Sequence, residues 1–430
     1  MTWRIVIAGA SSGTGKTTVT CGLARALSAR GLRVALFKCG PDYLDPTYHA
    51  RALGGRRGHN LDGWMMGRDA VLATFARVAA GADLAIIEGM MGLYDGASAT
   101  ADTGSSAEIA KWLGAPVLLC VDASAMARSI AAVAHGYATF DPALRVAGVI
   151  ANRIGGRGHL DLLRQASPLV VGGLPEQREL AFSERHLGLR TAGADSEARL
   201  DAWGRVVAEW FDLDAILAIA RSAPPLDVPE EKPDAERARC RIGYALDDAF
   251  HFYYEDNLRR LEAAGAELIA FSPIADARLP AVDGLYFGGG YPELFATALC
   301  ANRSMREAVR AFRGPIYGEC GGLMYLCEAI RTTDGTRHEM VGRVRGEAVM
   351  AERLRAIGYV EVETRVPSLL GPAGTRFRGH QFRYSELAGA EPENAFAQAW
   401  AQGPLLASYV HGHWASCPDA PRNFVSACRS

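Results

Sequence analysis

Short, unbroken apolar runs alternate with longer amphipathic stretches through the first half of the chain. Ile5-Val6-Ile7-Ala8, Val34-Ala35-Leu36-Phe37, Leu84-Ala85-Ile86-Ile87, Val117-Leu118-Leu119-Cys120-Val121 and Val146-Ala147-Gly148-Val149-Ile150 each lead into a loop. Their length and residue types predict strands. None alternates apolar with polar, so both faces of the sheet must be covered, the pattern of parallel strands joined by helices. Residues 17–30 carry helical spacing and stop at Gly31. Sheets of this kind bind ligands at the carboxyl ends of their strands. The polar residues just after each run are therefore the ones to weigh.

The alternation breaks at residues 222–239, where Ala223-Pro224-Pro225, Pro229-Glu230-Glu231 and Pro233 predict an exposed linker. It restarts at Arg241-Ile242-Gly243-Tyr244-Ala245 and recurs at Leu268-Ile269-Ala270-Phe271, Gly284-Leu285-Tyr286-Phe287 and Pro315-Ile316-Tyr317. The expected organisation is an α/β domain over 1–221, a linker over 222–239 and a second α/β domain over 240–430.

Composition narrows the partners. With 430 residues, 49% hydrophobic and 22% charged, the chain has the make-up of soluble domains with substantial cores. A net charge of −2 without a basic stripe predicts no nucleic-acid partner. The absence of an apolar span of about 20 residues predicts no membrane partner. Nine cysteines without a Cys-x-x-Cys pair argue against a disulfide framework or structural zinc. With no signal-peptide pattern following Met1, the expected setting is the cytoplasm.

The first candidate site follows the first strand. Gly9-Ala10-Ser11-Ser12-Gly13-Thr14-Gly15-Lys16-Thr17-Thr18 joins a strand to a helix. Glycines let backbone amides turn toward phosphate oxygens, and the helix N-terminus favours negative charge. Lys16 can neutralise the β- and γ-phosphates, and the Thr17 hydroxyl can ligate magnesium. The strict phosphate-loop pattern wants glycine where Ala10 stands; Gly9 lies one residue earlier. That spacing resembles the dethiobiotin synthetase-like branch. Gly13, Thr14, Gly15, Lys16, Thr17 and Thr18 are the expected nucleotide contacts.

Acidic loops follow the next strands. Gly40-Pro41-Asp42-Tyr43-Leu44-Asp45-Pro46 and Glu88-Gly89-Met90-Met91-Gly92-Leu93-Tyr94-Asp95-Gly96 place carboxylates on the same sheet edge. Carboxylates there can hold the magnesium that bridges phosphates. Both loops, with Ala151-Asn152-Arg153 and Ser183-Glu184-Arg185-His186-Leu187-Gly188-Leu189, resemble the cobyrinic acid a,c-diamide synthase family. The resemblance spans nearly the whole chain. It implies that Asp42, Tyr43, Leu44, Glu88 and Asp95 lie near substrate and magnesium, with Thr17, Asp42 and Glu88 as metal ligands, and that Asn152 recognises adenine. One departure is a shortened stretch over residues 162–171, expected to reshape the nucleotide-base side.

The second candidate site is Tyr317-Gly318-Glu319-Cys320-Gly321-Gly322-Leu323-Met324, a strand, a glycine-framed turn and a helix. A nucleophile on such an elbow projects from the sheet, and a helix N-terminus favours thiolate. Cysteine nucleophiles need a base, and Ser408-Tyr409-Val410-His411-Gly412-His413-Trp414 offers His411 and His413. Together these resemble class I glutamine amidotransferases of the cobyrinic/cobyric acid synthase type, with Cys320 and His411 as the catalytic pair. Many relatives carry glutamate where His413 stands, so an orienting carboxylate is missing from that position. Gly289 and Gly290, in Gly288-Gly289-Gly290-Tyr291-Pro292-Glu293, are the expected oxyanion donors. Arg378-Gly379-His380-Gln381-Phe382-Arg383-Tyr384-Ser385 matches another family motif, and a lone histidine such as His380 is more often a satisfied structural one.

The fold class expected is a dethiobiotin synthetase-like phosphate-loop domain followed by a class I amidotransferase-like domain. The resemblance implies ATP- and glutamine-dependent amidation of corrinoid acetate carboxylates through an acyl phosphate, with magnesium, in cobalamin biosynthesis. Nickel-sirohydrochlorin or another tetrapyrrole remains an alternative substrate. A nucleotide switch of the partitioning-ATPase kind is a different class of reading; Ser11 stands where its signature lysine would be. Monomer and homodimer both stay open.

Overall fold

The computed structural model describes residues 2–55, 57–180, 196–228, 239–389, 394–396 and 399–429. The motif residues 183–189 and most of the linker, 229–238, lie outside that set. Internal packing divides the chain into two compact units, Met1–Glu231 and Lys232–Ser430.

In the first unit β1 (Trp3–Gly9), β2 (Val34–Cys39), β3 (His59–Leu61), β4 (Leu84–Glu88), β5 (Val117–Asp122), β6 (Val146–Ile154) and β7 (Val170–Pro175) form one sheet in the order β3-β2-β4-β1-β5-β6-β7. Every neighbouring pair is parallel. The expected strands are all present. β3 and β7 are additional to those five runs, and His59-Asn60-Leu61 of β3 is too short and polar to stand out by pattern. β1 lies between β4 and β5, so the chain leaves it in one direction and later returns on the other side. The crevice at such a reversal is where open α/β sheets take ligands, and the loop after β1 sits there. The helix Lys16–Ala29 buries Val19, Leu23 and Leu27, spaced four apart on one face. Its outer side meets the helix Ser196–Trp210 at Gly22, where a Cβ would come within 2.7 Å of Val207. The helix Arg157–Ala166 and the start of β7 occupy the stretch that departs from the family pattern.

In the second unit β8 (Cys240–Ala245), β9 (Ala266–Phe271), β10 (Gly284–Phe287) and β11 (Ile316–Glu319) are parallel. The short strand β12 (Ala329–Arg331) pairs with β13 (Arg337–Glu339) on one side and β14 (Glu347–Met350) on the other, and β14 pairs in turn with β17 (Ser385–Ala388), in a small separate sheet. Another joins β15 (Ala356–Glu363), β16 (Arg376–Arg383) and β20 (His411–His413). The main sheet is completed by β18 (Ala399–Gln402) and β19 (Leu405–Ser408), in the order β18-β19-β11-β10-β8-β9, with only β18 antiparallel. β19 pairs Ser408 with Glu319 at the end of β11, and β20 pairs His411 with His380 of β16. These registers bring the elbow cysteine and the histidine segment to one edge. No helix among the described residues is long and apolar enough to cross a membrane.

Candidate functional site

The loop after β1 is held from several sides. Gly13 and Gly15 take φ of +76° and +88°, a region that favours glycine. A Cβ on Gly15 would also fall 2.2 Å from the Asn152 amide nitrogen. Asn152 donates that amide to Thr14 O at 2.8 Å, and Arg153 donates to Gly13 O at 3.0 Å. Tyr137 donates its hydroxyl to Ala10 O at 2.6 Å. Asn152 thus braces the loop, with its Oδ1 accepting from Arg153 N. Lys16 bends over the loop, donating to Ser11 O and Met91 O. Burial, then the neighbouring Lys38, pulls its ammonium below the ordinary lysine range.

Below the loop lies a compact charged cluster. The Thr17 hydroxyl is 2.7 Å from Glu88 Oε1 and 3.2 Å from Asp45 Oδ1. Lys38 Nζ is 3.0 Å from Glu88 Oε1 and 2.6 Å from Asp45 Oδ2. His49 Nε2 lies 2.6 Å from the other Glu88 oxygen. Lys38, Asp45, His49 and Glu88 are all buried. Burial would raise Glu88, but Lys38 and the hydrogen bond from His49 hold it well below the carboxylate range. Burial would likewise lower Lys38, and Asp45 and Glu88 keep it protonated. One lysine faces two carboxyls, and the excess falls on Asp45, which burial, Asp42 and Glu88 push up to about 7.

The structure therefore brings Thr17 and Glu88 together as expected, but their carboxylate partner is Asp45. Asp42 instead accepts from Leu44 N and Asp45 N at 2.8 and 2.9 Å, closing the turn that opens the helix Asp45–Ala52. Tyr43 and Leu44 are buried in that turn. Asp95 is exposed and accepts from Gly92 N, also a turn. Thr18 follows in the first turn of the helix, half-buried. Lys38 and His49 were not singled out by sequence. Their signals were a lysine ending an apolar strand, and a histidine four residues after Asp45, on one helix face.

Among the described residues no group of three or more His, Cys, Asp or Glu is arranged to hold a metal. The Thr17 hydroxyl with the Asp45 and Glu88 carboxylates still offers hard oxygens in the number magnesium takes alongside phosphate and water.

In the second unit Cys320 adopts φ +48°, ψ −103°, a strained conformation for a residue with a side chain. Its amide donates to Ser408 O at 2.7 Å. A Cβ on Gly322 would meet Phe287 O at 2.2 Å, and one on Gly321 would meet Gly290 N at 3.0 Å. A Cβ on Gly289 would strike His411 Cε1 at 2.4 Å. The elbow, the glycine turn after β10 and His411 thus converge. Gly289 N–H is already bonded to Phe252 O, so it is the Gly290 amide that is placed to donate.

The helix after Cys320 runs for only six residues, and the thiolate expected there is not what the environment favours. Burial, then Glu293, pushes the thiol up to about 12. Burial alone pulls His411 down to about 3. The resting pair is a neutral thiol and a neutral imidazole. Glu319, one residue before the nucleophile, is a carboxylate that sequence reasoning missed. It is buried, accepts from Tyr286, Tyr317 and Gly412 N, and its Oε2 lies 3.9 Å from His411 Nδ1. Burial pushes it up to about 7. His380 stacks on His411 at 4.9 Å and bonds the Tyr254 hydroxyl, the satisfied histidine expected. His413 packs on Tyr254 and accepts from Ala415 N.

Comparison with known proteins bears on both halves. Residues 5–187 match the CobQ/CobB/MinD/ParA nucleotide binding domain, and 241–418 the CobB/CobQ-like glutamine amidotransferase domain. A cobyrinate a,c-diamide synthase of Leptospira interrogans is 47% identical over 446 residues, covering 99% of this chain and 98% of that protein. The one of Syntrophotalea carbinolica is 48% identical, with the same coverage. One from Listeria monocytogenes is 42% identical over 96% of each chain. The chain belongs to the cobyrinate a,c-diamide synthase family, a ligase that carries a glutamine amidotransferase domain.

Proposed function

We propose that this chain transfers ammonia from glutamine to the a- and c-acetate carboxylates of cobyrinate, activating each carboxylate with ATP. The observation that carries this reading is the pairing, in one chain, of a phosphate loop over an ion cluster with a strained cysteine beside a neutral imidazole.

At the first site the chemistry is carboxylate activation. A carboxylate resists attack by ammonia until one oxygen becomes a leaving group. Attack of a carboxylate oxygen on the γ-phosphorus releases ADP and gives an acyl phosphate, from which ammonia displaces phosphate. Loop amides and Lys16 hold the phosphates in line. Magnesium held by Thr17, Glu88 and Asp45 would offset charge on the phosphates. Lys38 and His49 fix both carboxylates in place.

At the second site Cys320 attacks the glutamine amide. His411, neutral at rest, takes the thiol proton as the bond forms and returns it to the leaving ammonia. Glu319 faces the other imidazole nitrogen and stabilises the imidazolium while it exists, the part a triad acid plays. Gly290 N–H donates to the oxyanion. Water hydrolyses the thioester and regenerates the thiol.

Mass spectrometry of products formed from cobyrinate, hydrogenobyrinate and nickel-sirohydrochlorin with glutamine and ATP tests the substrate. Cobyrinate should gain two amides; a gain on nickel-sirohydrochlorin alone would move the chain to that substrate. Cys320→Ala should abolish glutamine use and retain synthesis from added ammonium. Loss of both would sink the division of labour.

A further inference from the structure

Two ionisable side chains flank Cys320, and neither has an opposite charge to pair with. Arg383 ends β16 and is 8% exposed. Its guanidinium lies 4.6 Å over the Tyr409 ring and donates to Ser385 O. No carboxylate among the described residues lies within ion-pair distance of it, and its buried Nε has no acceptor. Ser385 Oγ is 3.1 Å from the Tyr409 hydroxyl and 3.5 Å from Met324 Sδ, on the helix that follows Cys320. Those contacts place Arg383 beside the helix that follows Cys320.

Glu293 reaches the same elbow from the glycine turn after β10. It follows the Gly288–Gly290 turn, and Pro292 beside it would lie 2.9 Å from a Cβ on Gly321. Its carboxyl makes no hydrogen bond or ion pair with another described residue, and burial pushes it up to about 7. Both charges act on the Cys320 thiol, with opposite sign. A buried cation left without an opposite charge is costly. The cost is offset when a ligand supplies the missing charge. Here one cation and one carboxylate both act on the atom that attacks an amide. The ligand that complements both while presenting an amide is an α-amino-acid zwitterion.

We propose that Arg383 and Glu293 form the amino-acid end of the glutamine site. The guanidinium takes the α-carboxylate, the Glu293 carboxylate takes the α-ammonium, and the side-chain amide reaches Cys320. This rests on the reading of Cys320 as the glutaminase nucleophile. The arrangement rejects simple amides by leaving one charge or the other unmatched.

The test measures kcat and KM for hydrolysis of L-glutamine and two truncated amides. 4-Aminobutanamide lacks the α-carboxylate; glutaramate lacks the α-ammonium. Arg383→Met should lower the kcat/KM ratio of L-glutamine to 4-aminobutanamide about 100-fold, mainly through KM, while the ratio of L-glutamine to glutaramate changes little. Glu293→Gln should do the reverse. Arg383→Lys, which keeps the cation, should recover part of the affinity for L-glutamine and shows that loss in Arg383→Met is not misfolding. Equal losses on all three amides, or wild-type KM for L-glutamine in both variants, would overturn the assignment. Glutamine hydrolysis that survives Cys320→Ala would instead overturn the reading beneath it, so the two failures are distinguishable.

Discussion

Around Thr17, buried side chains carry charge and compensate one another: Lys38 sits between Asp45 and Glu88, and His49 takes the remaining Glu88 oxygen. Around Cys320 the burial is as deep, but the reacting thiol and imidazole are themselves held neutral. The thiol is pushed up to about 12, His411 down to about 3, and Glu319 up to about 7. The difference follows from what each site meets. A polyanionic nucleotide needs charge fixed in advance, because reorganising charge in the transition state is what such a site avoids. Amide cleavage begins with a neutral substrate. There a neutral thiol and a neutral base wait, and ions appear only when the proton moves.

The largest effects come from breaking the compensated cluster. Glu88→Gln keeps the shape but leaves Lys38 with one carboxyl and Thr17 without its closest acceptor. Synthesis from glutamine and from ammonium should both fall, by about 10³-fold or more, while glutamine hydrolysis persists. Equal loss of hydrolysis would mean that the two sites are not separable in this way. At the neutral site a single change should do less. Glu319→Gln keeps the hydrogen bond from Gly412 N but removes the charge facing His411. The kcat for glutamine hydrolysis should fall about 10–100-fold, with KM little changed and the pH profile shifted on its acid limb. A profile identical to wild type would reduce Glu319 to a support for Gly412.

The elements that carried their signal in local sequence were legible. The phosphate-loop glycines, Lys16, Thr17, the elbow at Cys320 and the strand runs were read from residue type and spacing, while the family resemblance rested on the Asp42 and Glu88 loops, Asn152, residues 183–189 and the Cys320 and His411 motifs. What escaped depended on tertiary register. Asp42 and Asp45 lie three apart in one loop, and only the helix Asp45–Ala52 decides which carboxyl turns to Thr17. Glu319 sits beside the nucleophile in sequence, yet its relation to His411 needs β11, β19 and β20 side by side. The thiolate was expected from a helix N-terminus, but desolvation outweighs a dipole of six residues. The glycine turn was found by composition, whereas which amide remains to donate is settled by Phe252, from a distant loop.

The smallest effect, and the one that reads both sites together, is on stability against pH. Burial, Asp42 and Glu88 push Asp45 up to about 7 in the fold, against about 3.9 unfolded. The folded first unit therefore favours the protonated form, and this contribution is full below about pH 4 and lost as pH rises through 7. In the second unit His411, His413 and His251 are depressed to about 3, 4 and 4, against about 6.5 unfolded, and His380 is held well below its ordinary range. Their contribution is full above about pH 6.5 and lost as pH falls toward 4. Glu319 and Glu293, each raised to about 7, act in the same direction as Asp45, but the histidines outnumber them. Between pH 6.5 and 5 the two units should thus move in opposite directions. Hydrogen exchange on the intact chain, corrected for the intrinsic rate, should show β10, β11 and β19 losing protection relative to β1, β2 and β4. Equal change in both sets, or loss confined to the first, would mean that the buried histidines take protons without unfolding cost. The contrast between a compensated site and a discharged one would then not hold.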